Sequence, residues 1–204
     1  MKALNTIPKL VFLLSFILFV SCQENEIDDE LQNNSAKVSL FELINSQTDE
    51  TSRNAPGDTP IAAIAIDAGF NELVEALLYV DSELNAGLVD LFLNGTDQYT
   101  VFAPTDEAFM NLYSALGISD ITELDATLVL DVLLYHVTEG RRASNSVVPK
   151  RNYRNIDTLL GISFQVTPSA EIMAVGNSAN ITTADISASN GIIHIIDQVI
   201  LPLQ

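Results

Sequence analysis

The sequence predicts an α+β domain, and three observations predict it. Apolar residues recur at three- and four-residue intervals from Ile61 to Leu134, the spacing of amphipathic helices, with one β-rich run, Tyr99–Phe102, set among them. Beyond Arg141 that period fades into short runs rich in β-branched residues, which read as strands. Helices come first and most strands later, without the alternation of a doubly wound fold.

A segment of another kind stands before that domain. Lys2 and Lys9 accompany an uncharged apolar run, Leu10–Val20, barely more than half of the roughly 20 residues that cross a bilayer. Basic front, short apolar run and small-residue exit read as a secretory signal, residues 1–21. Cys22 is the chain's single cysteine, so no intramolecular disulfide framework is available. Val20-Ser21-Cys22 resembles the bacterial lipobox, in which the cysteine is acylated and becomes the mature N-terminus; Phe19 stands where that motif carries Leu. The expectation is therefore lipid attachment at Cys22, with the membrane as partner and the cell envelope as location, at the outer membrane or the cell surface. Each buried acyl CH₂ contributes about 0.8 kcal/mol, and a second chain makes the anchoring stable.

Residues 23–30, QENEIDDE, hold five carboxylates and no base. Such a stretch behind an acylated cysteine resembles a signal for export to the outer face, and it reads equally as a solvated spacer. The chain stays polar to about Pro60, except for one apolar cluster, Val38–Ile44, enough for a short, weakly docking helix. High charge with little hydrophobicity does not offset the entropy of ordering, so residues 22–59 read as a flexible tether. The formal net charge of −18 argues against nucleic acid, whose phosphates call for basic side chains. Apolar residues make up 48% of the chain, enough for residues 60–204 to bury a core as one domain.

Within the domain, Ile61, Ile64 and Ala65 share the face of a first helix, and Leu73, Leu77 and Val80 that of a second, with Gly69 between them. Leu88–Leu93 makes a third helix, closed by Asn94-Gly95. Tyr99–Phe102 is a strand that Pro104 stops. Thr105 is a candidate N-cap, Asp106 and Glu107 favour the positive end of the helix dipole, and Ala108, Phe109 and Leu112 form the buried face. Leu124–Leu134 is another helix, running into Tyr135-His136-Val137. The later strands are SVV, ISFQV, IMAV, NITTADI and GIIHIIDQVIL, with Asn190-Gly191 as the signature of a type I′ hairpin turn.

These residues resemble the fasciclin-type domain. TVFAPTDEAFMNL (residues 100–112) resembles its first signature, LLYHV (133–137) its tyrosine–histidine motif, and ADISASNGIIHIIDQVILP (184–202) its second signature. All three stand in the family's order, and the similarity runs from about Pro60 to Leu203. The resemblance implies one complete domain, a β-sheet wedge or sandwich packed against a cluster of helices. It also implies adhesion or matrix contact, and it connects the Tyr135–His136 pair with receptor adhesion. Read as residues alone, Tyr135 and His136 serve the packing between a helix and a strand. His194, flanked by isoleucines, reads as a core histidine, and Asp197 as a partner for nearby backbone.

Signals for catalysis are thin. Acylation of Cys22 leaves no thiol nucleophile, and two isolated histidines do not make the cluster a metal prefers. A triad drawn from a serine, His194 and Asp197 lacks a GxSxG elbow, and no glycine-rich phosphate loop appears. The expectation is no enzyme and no cofactor. One unevenness remains: every positive charge in the domain falls within residues 141–154, on Arg141, Arg142, Lys150, Arg151 and Arg154, whereas the rest of the domain carries eighteen acids. That strip suits a carboxylate, sulfate or phosphate on a protein or an anionic glycan. Pairing with the domain's own acids is the alternative, as is a loop kept soluble by charge. The function expected is a non-enzymatic envelope module for surface adhesion. The rival is an envelope accessory protein that binds a small apolar ligand or a neighbouring complex; an apolar pocket would favour it.

Overall fold

The chain divides into two units, Met1–Lys37 and Val38–Gln204. The computed structural model describes residues 57–203. The signal, Cys22 and most of the tether lie outside the described residues.

Three helices open the fold: α1 (Ile61–Asp67), α2 (Asn71–Leu84) and α3 (Leu88–Asn94). Gly69, at φ +79°, ends the first, where the Phe70 N–H returns to the Ala65 carbonyl at 2.9 Å. The carboxylate of Asp81 then accepts the Leu88 and Val89 N–H groups at 2.9 and 2.8 Å, satisfying donors that the start of α3 leaves unpaired. Strand β1 (Tyr99–Pro104) follows, then α4 (Asp106–Leu116), whose N-cap Thr105 accepts the Ala108 N–H at 3.2 Å. A 3₁₀ turn (Ile121–Glu123) leads to α5 (Ala126–Tyr135), capped by Asp125 through the Thr127 and Leu128 N–H groups. On α4 the buried residues are Ala108, Phe109 and Tyr113, whereas Leu112 is only half-buried.

The remainder is mostly sheet: β2 (Val137–Glu139), a one-turn helix α6 (Ser144–Val147), β3 (Arg154–Asp157), β4 (Ser163–Val166), β5 (Glu171–Met173), β6 (Ser178–Ala188) and β7 (Gly191–Ile196). The strands lie in the order β2-β1-β7-β6-β5-β4-β3. The β1–β7 pair is parallel and the others are antiparallel. The Leu159 N–H donates to the Val137 carbonyl at 2.8 Å, and the Thr138 hydroxyl to the Asp157 carbonyl at 2.6 Å. The chain leaving β3 therefore meets β2, and the sheet folds over on itself. Two cores result. Val101, Ala103 and Ile193 pack with the helices, while Phe102, Ile156, Phe164, Val166 and Ile196 fill the space enclosed by the folded sheet. The alternation along β1 serves both. This is the α+β wedge on a helical cluster.

Three local expectations are corrected. SVV does not form a strand: Ser144–Val147 is a helical turn, because the Asp185 carboxylate accepts both the N–H and the hydroxyl of Ser144, at 2.6 and 2.5 Å. Arg154–Asp157 is a strand that the pattern did not announce, since only Ile156 of its four residues is buried. The β6–β7 turn is Ser189-Asn190, because Ala188 pairs with Gly191, and it is not type I′: neither turn residue has positive φ. Asn190 is buried instead, its Oδ1 accepting the Ile61 N–H at 2.8 Å and its Nδ2 donating to the Phe92 carbonyl at 2.9 Å. Gly191 has its own reason to be glycine, as a Cβ there would run into the Tyr99 carbonyl and the side chain of Ile61.

Candidate functional site

Folding divides the basic strip in two. Arg141, leaving β2, turns its guanidinium onto the β6–β7 hairpin. It donates to the Ala188 carbonyl at 2.9 Å, the Gly191 carbonyl at 2.5 Å, the Gln98 Oε1 at 3.4 Å and the Ser187 hydroxyl. Arg142 donates through Nε to the Glu139 carbonyl at 3.1 Å, and its own N–H goes to the Thr100 hydroxyl at 2.8 Å. Arg154 donates to the carbonyls of Asn145, at 3.4 Å, and Ser146, holding α6 against β3. These three cations meet neutral acceptors of the fold. Lys150 and Arg151 are different. Both are exposed in the loop before β3, where Asn152 turns the chain at φ +59°, and Tyr153 beside them is 61% exposed.

Tyr135 and His136, at the end of α5, are both buried, and neither side chain reaches the surface as folded. The Tyr135 ring stands edge-on to Phe164, with centroids 5.7 Å apart. Burial raises its hydroxyl pKa, partly offset by the backbone of Val175. The His136 Nδ1 meets the Val132 carbonyl at 2.6 Å, and its Nε2 accepts the Ile200 N–H at 3.1 Å. Burial pushes its pKa down to about 4, the Val132 contact acting in the opposite direction, so the ring is neutral. In the fold both side chains pack inside the domain.

His194 is likewise satisfied. Its Nδ1 accepts the Asp185 N–H at 3.2 Å, which leaves the Nε2 proton for the Arg142 carbonyl at 2.9 Å. Burial lowers its pKa, against the Arg142 contact and the nearby Asp185 charge. The Asp197 oxygens accept from the backbone and side chain of Asn180, at 2.7 and 2.9 Å, rather than from a histidine. His136 and His194 are the chain's two histidines, and both rings spend both nitrogens on backbone. No general base of the imidazole kind is therefore free. Among the described residues no group of three or more His, Cys, Asp or Glu side chains is placed to hold a metal.

A further feature was not read from the sequence. Between α2, α4, the 3₁₀ turn, α5 and the C-terminal tail lies a cavity of about 110 Å³. Leu73, Phe109, Ile121 and Val129 are among its buried walls, and Leu116 and Leu203, 53% and 49% exposed, belong to its rim. Its signal was present in α5, where LVLDVLL is apolar around most of the helix. One face packs inward, and Leu124, Leu128 and Val132 are left half-buried along the cavity. His136 is the one polar side chain among the lining residues, and its nitrogens are already engaged.

Comparison with known proteins agrees with the architecture. The fasciclin domain family model matches residues 69–202. Immunogenic protein MPB70 of Mycobacterium bovis is 36% identical over 144 residues, covering 68% of each chain. Protein sll1483 of Synechocystis sp. is 30% identical over 170 residues, covering 81% of this chain and 87% of that protein. Cell surface glycolipoprotein MPB83 of M. bovis is 32% identical over 158 residues, covering 74% and 67%. Among the described residues no helix is long and apolar enough to cross a membrane. With most of the described residues matched by the family model and similar relatives over comparable lengths, the chain belongs to the fasciclin domain family.

Proposed function

We propose that this protein is a non-catalytic binding module, held at the cell envelope by lipid on Cys22, that contacts an anionic protein or glycan through the loop around Lys150 and Arg151. One observation carries the reading. In a chain of net charge −18, Arg141, Arg142 and Arg154 are engaged internally, while Lys150, Arg151 and Tyr153 stand together in solvent. Two cations beside an exposed aromatic ring suit a sugar carrying acid groups: the ring packs on the apolar face of the sugar and the cations on its charge. The acidic remainder of the domain repels the same ligand, which confines contact to the loop. Display at the envelope is supported by MPB83, whose name describes a cell surface glycolipoprotein.

The test uses immobilised heparin as a sulfated-glycan probe, with the soluble Cys22→Ser chain. Retention at low salt, lost on salt addition and lost in the Lys150→Gln/Arg151→Gln variant, supports the reading. A parent chain that flows through, or a variant retained equally, overturns it. Protease treatment of intact cells separately tests display: clipping of the domain supports the surface, and full protection places it inside the envelope.

The cavity favours the other reading, carriage of a small apolar ligand. Its size weighs against that: about 110 Å³ stands well below the roughly 300–1,000 Å³ of ligand pockets.

A further inference from the structure

We propose that the cavity between α2, α4 and α5 is the seat of this chain's own Val38–Ile44 segment, with Phe41 or Leu40 inserted. The cavity's size and chemistry narrow the occupant first. About 110 Å³ is somewhat less than the roughly 150 Å³ apolar cavity that accommodates benzene, so it takes one large apolar side chain and little more. Its lining offers no hydrogen bond, because His136 already meets Val132 and Ile200. A polar or amphiphilic ligand would leave its polar atoms unpaired there, at a cost that a purely apolar group avoids. Asp120, Glu123 and Asp125 adjoin the wall residues Ile121 and Leu124 in sequence, which disfavours a fatty-acid carboxylate at the rim.

The chain supplies a matching group. VSLFELI is the one apolar cluster in the polar stretch between Cys22 and Pro60, and it offers a phenylalanine preceded by Leu40, with Leu43 and Ile44 close behind it. On a helix Leu40, Phe41 and Ile44 fall on one side, leaving Ser39 and Glu42 toward water. The reach suffices. Gly57, where the described residues begin, lies against Ser187 and Ala188 at the hairpin end of β7. The cavity's Val199 and Leu201 follow the other end of that six-residue strand, a separation of about 20 Å. The twelve residues between Ile44 and Gly57 span up to about 40 Å. A short linker also gives an effective concentration in the millimolar range, so even weak docking keeps the seat filled. Docking shortens the free tether to residues 23–37 and sets how far the domain stands from the membrane.

The experiment uses the full mature chain with Cys22→Ser, spin-labelled at Ser39→Cys, and reads paramagnetic broadening of leucine methyl resonances. Strong broadening of Leu116, Leu124 and Leu128, abolished by Leu40→Asp/Phe41→Asp, is the expected result. Those substitutions lie outside the described residues 57–203, whose spectrum serves as the folding control. Unbroadened methyls overturn the proposal. Broadening that persists when spin-labelled chain is mixed with isotope-labelled, spin-free chain also overturns it, since a second copy is then the occupant. Benzene, a neutral probe of about the cavity's size, gives an independent readout: several-fold larger shifts of the leucine methyl resonances with the Leu40→Asp/Phe41→Asp variant than with the parent support a seated segment. Shifts equal in both chains, whether large or absent, overturn it. None of these readouts depends on Lys150 or Arg151.

Discussion

The Nε2 atom of His136 accepts the backbone N–H of Ile200 at 3.1 Å, joining the end of α5 to the chain beyond β7. For Nε2 to accept, the ring proton must sit on Nδ1, where it donates to the Val132 carbonyl at 2.6 Å. One neutral tautomer therefore serves two backbone groups, and protonation would set an N–H against the Ile200 N–H.

This arrangement makes stability depend on pH. The folded pKa of His136 is pushed down to about 4 by burial, against an ordinary value of 6.5. The unfolded chain therefore binds the proton first as pH falls, and the histidine's contribution is complete above pH 6.5 and lost progressively down to about pH 4. The loss is on the order of 3 kcal/mol, and His194, also lowered by burial, acts in the same direction. Urea unfolding at pH 7.5 and pH 4.5 should show a clearly lower midpoint at the acid pH. Equal midpoints would contradict the buried neutral histidines.

Arg141 is expected to behave as a structural cation. Arg141→Ala removes donors to the Ala188 and Gly191 carbonyls and the Ser187 hydroxyl, which hold the hairpin end in place. Hydrogen bonds from a charged group contribute about 1.5–3 kcal/mol each, and because Arg141 is only half-buried, water replaces part of what is lost, so a total loss of about 2–3 kcal/mol is expected. Thermal unfolding measures it, and heparin retention of the folded variant should stay close to that of the parent.

Asn190→Ala should be costly for a residue in a turn. It strips partners from the Ile61 N–H and the Phe92 carbonyl in a buried site, at about 1–3 kcal/mol for each group left unpaired. Denaturant titration of Asn190→Ala beside the exposed-site control Asn94→Ala would separate this tertiary role from a local turn preference.

Gly191→Ala tests close approach rather than backbone freedom. Its φ is not positive, yet an added Cβ meets the Tyr99 carbonyl across the parallel β1–β7 pair. Overpacking of this kind costs about 1–3 kcal/mol. A thermal midpoint unchanged from the parent would show that the two strands can separate to admit a methyl group.

Much of the domain could be read from residues alone because local chemistry decides it. Thr105 caps α4, Gly69 ends α1, and the apolar period places Leu73, Leu77 and Val80 on the buried side of α2. These depend on neighbours within a few positions, and sequence spacing reports such neighbours directly. The three fasciclin-type motifs carried the overall architecture in the same way, since each is a contiguous run.

Tertiary structure decided whatever depends on partners far along the chain. Ser144 turns into a helix because Asp185, 41 residues away, binds it, and no local pattern carries that fact. Of five cations close in sequence, Arg141 was drawn from the strip by acceptors 43 to 50 residues away, whereas Arg142 and Arg154 found carbonyls within nine residues and Lys150 and Arg151 stayed in solvent. The cavity exists only where α2, α4 and α5 meet. Sequence determined which residues are apolar, charged or able to cap; long-range packing determined which of them remained exposed or unfilled.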